Sequence, residues 1–378
     1  MTAHRFRLMF TVTATLAVFT ALFSPRAAEA QVMRPVVVAQ GLSNPWALAF
    51  LPDGRMLVTE KAGRLRIVER NGSVSTPLSG MPNVADSGQC GLLDVVADPQ
   101  FAANQRIFFT FAEPGEDTDS GMNSTAVGRA RLVGDKLQEV RTIFSQKPKV
   151  SSQHHCGSRI VIGDDGLLIV GLGDRFSRKD DAQNPSNHLG KIIRIDAEGR
   201  APADNPFVKT AGAAAEVWSL GHRNIQGMAL RPGTAEVWES EHGPQGGDEI
   251  NLIEPGRNYG WPLVTYGRNY GSGTRIGEDG PKPGYEHPLK WWVPSIAPSG
   301  MTFISSDRYP GWKGSLVVGA LRGQHLTRLT LEGRKVLSEE RLISGVSERI
   351  RDVRQGPDGW LYVLTDGAQG RLIRLELP

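Results

Sequence analysis

A short β-rich unit that returns six times constrains this chain more than any other feature. Each copy is a turn carrying Asp-Gly or Pro, a strand of β-branched residues, and another turn. The clearest are Pro52-Asp-Gly-Arg-Met-Leu-Val-Thr-Glu60 and Ile350-Arg-Asp-Val-Arg-Gln-Gly-Pro-Asp-Gly-Trp-Leu-Tyr-Val-Leu364; others cover 92–111, 159–171, 226–238 and 300–330. Units of this kind cannot bury a hydrophobic face alone, so they stack on their neighbours. Six copies give roughly 58 residues each, above the 40–45 of a WD40 blade, and the excess falls in long loops at 183–209 and 265–294. The expected architecture is all-β, a six-bladed β-propeller, because a radial array leaves only short, protected sheet edges. Val36-Val-Val38 is placed to join the last blade and close the ring. A two-sheet sandwich is the alternative, but its strands recur at shorter, more regular spacing. With no linker or low-complexity segment, 31–378 reads as a single domain.

Residues 1–30 read as a cleaved signal peptide. Arg5 and Arg7 form a basic start, 8–23 is mostly apolar, and Ala28-Glu29-Ala30 is a small-x-small site ahead of Gln31. The apolar run is short for a membrane span, so export to a periplasm without membrane insertion is expected. Losing Arg5, Arg7, Arg26 and Glu29 lowers the formal net charge from +3 to +1. No global basic field then argues for nucleic acid. Cys90 and Cys156 are the only cysteines, too few for a disulfide scaffold. In an oxidising compartment they form either one bond or two buried thiols.

The stretch 238–262 starts strand-like and continues as a long loop crowded with Gly, Pro, Asn and carboxylates. Gly243, Pro244, Gly246 and Gly247 oppose a helix. They present backbone carbonyls beside Glu241, Asp248 and Glu249, an oxygen-rich setting of the kind calcium seeks; a solvated connecting loop is the simpler account. Loops at one face of a propeller converge on the central channel, which draws together Gln89, His154-His155, Arg223-Asn224, Arg322, Arg349 and Arg351. Singly, each arginine suits a surface ion pair, and His155 suits a structural histidine. Together, beside a cation site, they suit an anionic cofactor carrying several carboxylates. A transition metal on His154-His155-Cys156 is disfavoured, since adjacent strand residues face opposite ways.

Six motifs carry a resemblance to a known family. They are Gly41-Leu-Ser-Asn-Pro-Trp-Ala-Leu-Ala-Phe50, Gly88-Gln-Cys-Gly-Leu-Leu93, Gly221-His-Arg-Asn-Ile-Gln-Gly227, Glu239-Ser-Glu-His-Gly-Pro244, Asp248-Glu-Ile-Asn-Leu-Ile253 and Asn258-Tyr-Gly-Trp-Pro262. In order, they resemble the soluble pyrroloquinoline-quinone (PQQ) sugar dehydrogenases, most of all the periplasmic aldose branch, whose fold is a six-bladed propeller. The resemblance implies oxidation of aldoses at C1 to lactones. His155 would be the general base. Gln89, Arg223, Asn224, Arg322, Arg349 and Arg351 would hold PQQ, with Arg223 also stabilising its reduced oxyanion. Carbonyls of Gly243 and Pro244 would ligate a calcium ion beside PQQ, while Glu249 and the Tyr259 carbonyl match a second, structural calcium. The chain departs from the glucose branch at His154, where that branch has aspartate, and at Arg322, where it has lysine. Neither cysteine acquires a role from the resemblance, and the loops after Trp261 match poorly, leaving the sugar and the soluble electron acceptor unassigned. The runner-up function is a calcium-dependent propeller lactonase without a redox cofactor; a third is a non-catalytic binding propeller.

Overall fold

Turn signals and apolar runs resolve into six antiparallel sheets, the blades of a propeller, in a computed structural model that describes Met1 and residues 32–342 and 344–378. Apart from Met1, the signal peptide expected over 1–30 lies outside the described residues. Blade 1 comprises Pro45–Phe50, Met56–Glu60 and Arg64–Val68. Blades 2 to 5 have four strands each and begin with Leu92–Ala97, Gly157–Ile162, Ile225–Leu230 and Pro298–Phe303. Blade 6 contains Ile350–Gln355, Leu361–Thr365 and Gly370–Glu376, and takes its fourth strand, Arg34–Leu42, from the opposite end of the sequence. Val36 pairs with Arg374 and Val37 with Ile373, so hydrogen bonds close the ring as expected. The first strands contact one another in turn around the central channel.

Burial explains which runs became which strands. Met56–Glu60, Leu168–Leu172, Val237–Glu241, Leu316–Ala320 and Leu361–Thr365 are buried at every position. A blade is covered on both faces by its neighbours, so its central strands lose polar alternation. The outermost Lys136–Ser145 and Lys335–Leu342 are charged and largely exposed, which protects their edges from pairing with other chains. Six apolar clusters fill the six seams between blades. Trp238, for example, packs edge-on against Phe303 at 5.6 Å across the seam of blades 4 and 5.

One expectation needs correction. The stretch 238–262 is not a loop after its first residues, because Asp248–Ile253 is a strand paired with Val237–Glu241. The turn chemistry falls at 242–247, and the loop resumes at 254–262. Between them Ile250 is fully buried in the seam with blade 5, and that burial together with the ladder outweighs the acidic, Gly-rich composition.

Ionic pairing crosses the channel centre. Arg159 reaches Asp94 at 3.2 Å and Asp352 at 3.0 Å, and Arg354 reaches the same two carboxylates at 3.0 Å each. The backbone N–H groups of Ile160 and Leu48 donate to Asp94 and Asp352. Blades 1, 2, 3 and 6 are thereby tied together.

Trp238 is fully buried, so Trp238→Ala would open a cavity in the seam and is expected to cost about 3–5 kcal/mol. A denaturant melt checks this: the midpoint should fall while the slope stays unchanged.

Candidate active site

The segments entering blades 2, 3, 4 and 6 at one end of the channel carry most of the predicted residues, and they line two cavities. The larger, about 330 Å³, is lined by Gln89, Asn224, Arg349 and Arg351, with Trp46, Lys61, His242 and Asp366. The smaller, about 270 Å³, is lined by His155, Arg223 and Pro244, with Phe176, Lys179, Trp261 and Tyr270. The chain passes from one to the other between His155 and Cys156, between Arg223 and Asn224, and between His242 and Pro244. The cavities therefore share a wall. Of the predicted metal ligands only Pro244 lines either cavity, and among the predicted PQQ-holding residues Arg322 is the exception: its side chain is exposed and lines neither cavity. The turn after Leu316–Ala320 brings Leu321 to the cavity wall instead, with the Arg322 N–H donating to the Ile296 carbonyl at 3.1 Å.

His155 is buried, and its Nδ1 lies 2.6 Å from Asp174 Oδ1. Asp174 also accepts from the Trp261 indole at 2.7 Å and from the Phe176 N–H at 2.7 Å. Burial alone would raise the Asp174 carboxyl, but His155 and Arg223 outweigh it and hold it below the usual range. The ionised carboxylate therefore accepts a hydrogen bond from Nδ1–H, which leaves the Nε2 lone pair free on the side of the smaller cavity. Burial first, then the Arg223 charge, pushes the imidazole below its ordinary value against the pull of Asp174. A neutral, oriented imidazole at pH 7 is what a general base requires. The departure at His154 leaves this orientation intact, because the carboxylate comes from 19 residues further on; His154 itself is exposed.

The larger cavity is built for an anion. Arg349 and Arg351 share a single carboxylate, Asp366, at 2.8 and 3.6 Å, and Lys61, itself paired with Asp86, adds a third cation. Among the described residues, the buried Nε atoms of Arg351 and Arg223 have no hydrogen-bond partner; that of Arg351 faces Asp366 only at ion-pair distance, 3.6 Å. An unmet buried donor costs about 1–3 kcal/mol, more when charged, so these donors are poised for ligand acceptors. Arg223 is otherwise fixed by donating Nη1–H to the His242 carbonyl at 2.8 Å, and it lies 5.3 Å from the Trp261 ring centre.

On blade 4 a second cluster has the opposite polarity. Glu239 and Glu241 alternate onto one face of their strand, opposite Asn251 and Glu249 of the next. His222 stacks on Tyr259 at 4.7 Å and places Nδ1 at 3.9 Å from Glu239 and 3.5 Å from Glu241. Possible ligand atoms of His222, Glu239 and Glu241 lie within 4.8 Å of one another. His222 Nδ1, Glu239 Oε2 and Asn251 Oδ1 are buried without hydrogen-bond partners among the described residues. Burial, then the Glu241 charge, pushes Glu239 and Glu249 well above the usual carboxylate range. A bound cation would relieve that repulsion. Glu241 links the two regions, since it also accepts the backbone N–H of Arg223 and of Asn224. In the adjoining turn the Gly243 N–H donates to Asp248 at 3.0 Å, and a Cβ on Gly243 would come within 2.3 Å of Gly246 and Gly247 backbone. The Gly243-Pro244 turn thus tolerates no side chain at its first position.

Lys61, Asp174, His222 and Glu239 were not among the sequence candidates. For Glu239 a signal existed in the x-Glu-x-Glu alternation of a strand; Asp174 and Lys61 are brought in by loop geometry alone.

A divalent hard cation should raise the melting temperature, by about 2.7 kcal/mol of stabilisation at a hundredfold excess over Kd. Glu239→Gln should abolish that increment and leave the metal-free protein at least as stable, because it removes a repelling charge. Calorimetry with and without chelator measures both.

The glucose/sorbosone dehydrogenase family model matches residues 42–374. Aldose sugar dehydrogenase YliI of Escherichia coli strain K12 is 46% identical over 345 residues, covering 90% of this chain and 92% of its own. The solved apo-form of the soluble aldose sugar dehydrogenase from Escherichia coli superposes with a TM-score of 0.88 at 44% identity, covering 92% of this chain and 100% of its own. The PQQ-bound aldose sugar dehydrogenase of Streptomyces coelicolor gives a TM-score of 0.74 at 29% identity, covering 92% and 98%. With a six-bladed scaffold and an oriented histidine beside an arginine-lined cavity, the chain belongs to the glucose/sorbosone dehydrogenase family and is a sugar dehydrogenase.

Proposed function

We propose that the mature protein is a periplasmic quinoprotein that oxidises aldoses at C1 to lactones, with PQQ and Ca²⁺ as cofactors and a soluble acceptor for the electrons. The observation that carries this reading is the shared wall: a carboxylate-oriented His155 beside Arg223 in the smaller cavity, Arg349 and Arg351 in the larger, and buried Nε atoms of Arg223 and Arg351 without hydrogen-bond partners among the described residues. Those donors fit an anion with several carboxylates. Gln89, Asn224, Arg349, Arg351 and Lys61 would hold it in the larger cavity, with Arg223 at the boundary. Arg322, at the rim, would reach it only after its side chain turns inward. Carbonyls of Gly243 and Pro244 would hold one calcium ion. Glu249, with the Tyr259 carbonyl and the neighbouring Glu239 and Glu241, would hold the second. When bound, PQQ polarised by Ca²⁺ supplies the acceptor for the hydride that leaves the sugar.

The chain's own residues do the rest. The smaller cavity takes the sugar ring against the faces of Trp261, Phe176 and Tyr270, which suits a body with apolar C–H surfaces. His155 Nε2 accepts the proton of the anomeric hydroxyl, and Asp174 stabilises the imidazolium that forms. Arg223 adds fixed positive charge at the shared wall, where negative charge develops. Cleavage before Gln31 would release the enzyme into the periplasm.

Apo-protein given PQQ and Ca²⁺ should reduce a dye with aldoses; no turnover, and no quinone absorbance retained after desalting, would refute the proposal. His155→Ala should lower kcat by about 10²–10⁴-fold while PQQ still binds. The neutral base is the competent form, so kcat/KM should fall as pH drops through the His155 pKa. Burial and Arg223 hold that pKa below the ordinary 6.5, so a pH profile should place the acid limb on the acid side of that value.

A further inference from the structure

A disulfide neighbours both histidine and glutamine of the site. Cys90 and Cys156 are bonded, with 5.7 Å between Cα atoms and a sequence separation of 66. Each directly follows a residue of the site, Gln89 and His155. Those two are themselves joined, the His155 N–H donating to Gln89 Oε1 at 2.8 Å, and the Gln89 N–H donates to the Gln153 carbonyl at 2.8 Å. The bond therefore ties the entry segment of blade 2 to that of blade 3 one residue from the base.

Arg175 completes the arrangement. It is fully buried, and its Nη1 lies 2.8 Å from Cys156 Sγ and 3.4 Å from Cys90 Sγ. Nη2–H donates to the Ser152 carbonyl at 2.8 Å and to Asn123. Arg175 also follows Asp174, the carboxylate that orients His155, and its backbone N–H points to the His155 carbonyl at 3.4 Å. The backbone here is strained: His155 has φ +51°, Arg175 +61° and Phe176 +65°. Side-chain-bearing residues keep such conformations only where the surroundings over-determine them. Directing Nη1 at two sulfurs is also a weak use of a buried donor if stability alone were served, because sulfur is a poor acceptor.

We propose that the Cys90–Cys156 disulfide and Arg175 form a positioning device that holds the strained His155 segment, and so sets the His155–Asp174 hydrogen bond and the place of Gln89. The alternative is a plain staple that stabilises the fold by closing a long loop. The two differ in what happens when the bond opens in protein that stays folded.

The test compares oxidised protein, protein reduced with a phosphine, and the Cys90→Ser/Cys156→Ser double variant, with thiols counted by mass. The first readout needs no cofactor: the downfield proton resonance of His155 Nδ1–H, assigned by its absence in His155→Ala. Opening the bond should broaden or abolish that resonance. In the second, PQQ-loaded protein should lose about 10–100-fold in kcat with a smaller change in KM, as expected for a base displaced by about 1 Å. With the bond intact, Arg175→Ala should lower both readouts, and Arg175→Lys, which keeps a donor near the sulfurs, should lower them less. Leu329→Ala, in the seam of blades 4 and 5, serves as a variant of lowered melting temperature that should keep the resonance and kcat. An unchanged Nδ1 proton and kcat in reduced, folded protein would overturn the proposal, as would equal loss in Leu329→Ala. The kcat arm rests on the PQQ reading, whereas the Nδ1 arm does not, so failure of the oxidised protein to turn over aldoses would count against that reading alone.

Discussion

Charged side chains must sit at the centre of this ring, and the pairing that makes them tolerable is the constraint on which the site depends. Arg159 and Arg354 each bridge Asp94 and Asp352, with backbone donors filling the remaining carboxylate positions. A buried pair of this kind adds little net stability relative to apolar residues, but an unmatched member is strongly destabilising. The result is specificity of register: blades 1, 2, 3 and 6 meet in one way. Arg159 also lies 4.2 Å from the Trp46 ring, and Arg351 lies 5.9 Å from it, so the channel lattice supports a wall of the larger cavity.

The second organising feature is the opposition of two fields within a few residues. His155 and His242 are held neutral by burial and by Arg223, with His242 lowered to about 3. Nearby, Glu239 and Glu249 are pushed up by burial and by Glu241. Glu241 stands between them, accepting the backbone N–H groups of Arg223 and Asn224 while facing His222. Occupancy of the carboxylate cluster and the placement of Arg223 are therefore connected through one side chain. That connection gives a cation on blade 4 a physical route to the shared wall.

The fold was legible because burial on both faces leaves a plain signature. Runs such as Leu361–Thr365 are apolar without alternation, turns carry Asp-Gly, and the unit repeats. The strand Asp248–Ile253 was not legible, since its acidic start and Gly-rich approach imitate a loop until the ladder with Val237–Glu241 is formed. Of the site, residues embedded in dense local motifs stood out: Gln89, His155, Arg223, Asn224, Arg349 and Arg351. Arg322 did too, but the backbone path of the turn after Leu316–Ala320 decides whether Leu321 or Arg322 meets the cavity, and no local pattern encodes that.

The chain alone determined the class of fold, the order of its blades, and the types of side chain available at the channel mouth, because periodicity and turn chemistry are local properties. Which carboxylate orients His155, whether the two cysteines bond, and how Glu239, Glu241, Glu249 and His222 gather were decided only by closure of the ring. Those facts depend on distances between segments far apart in sequence, and ring closure sets such distances.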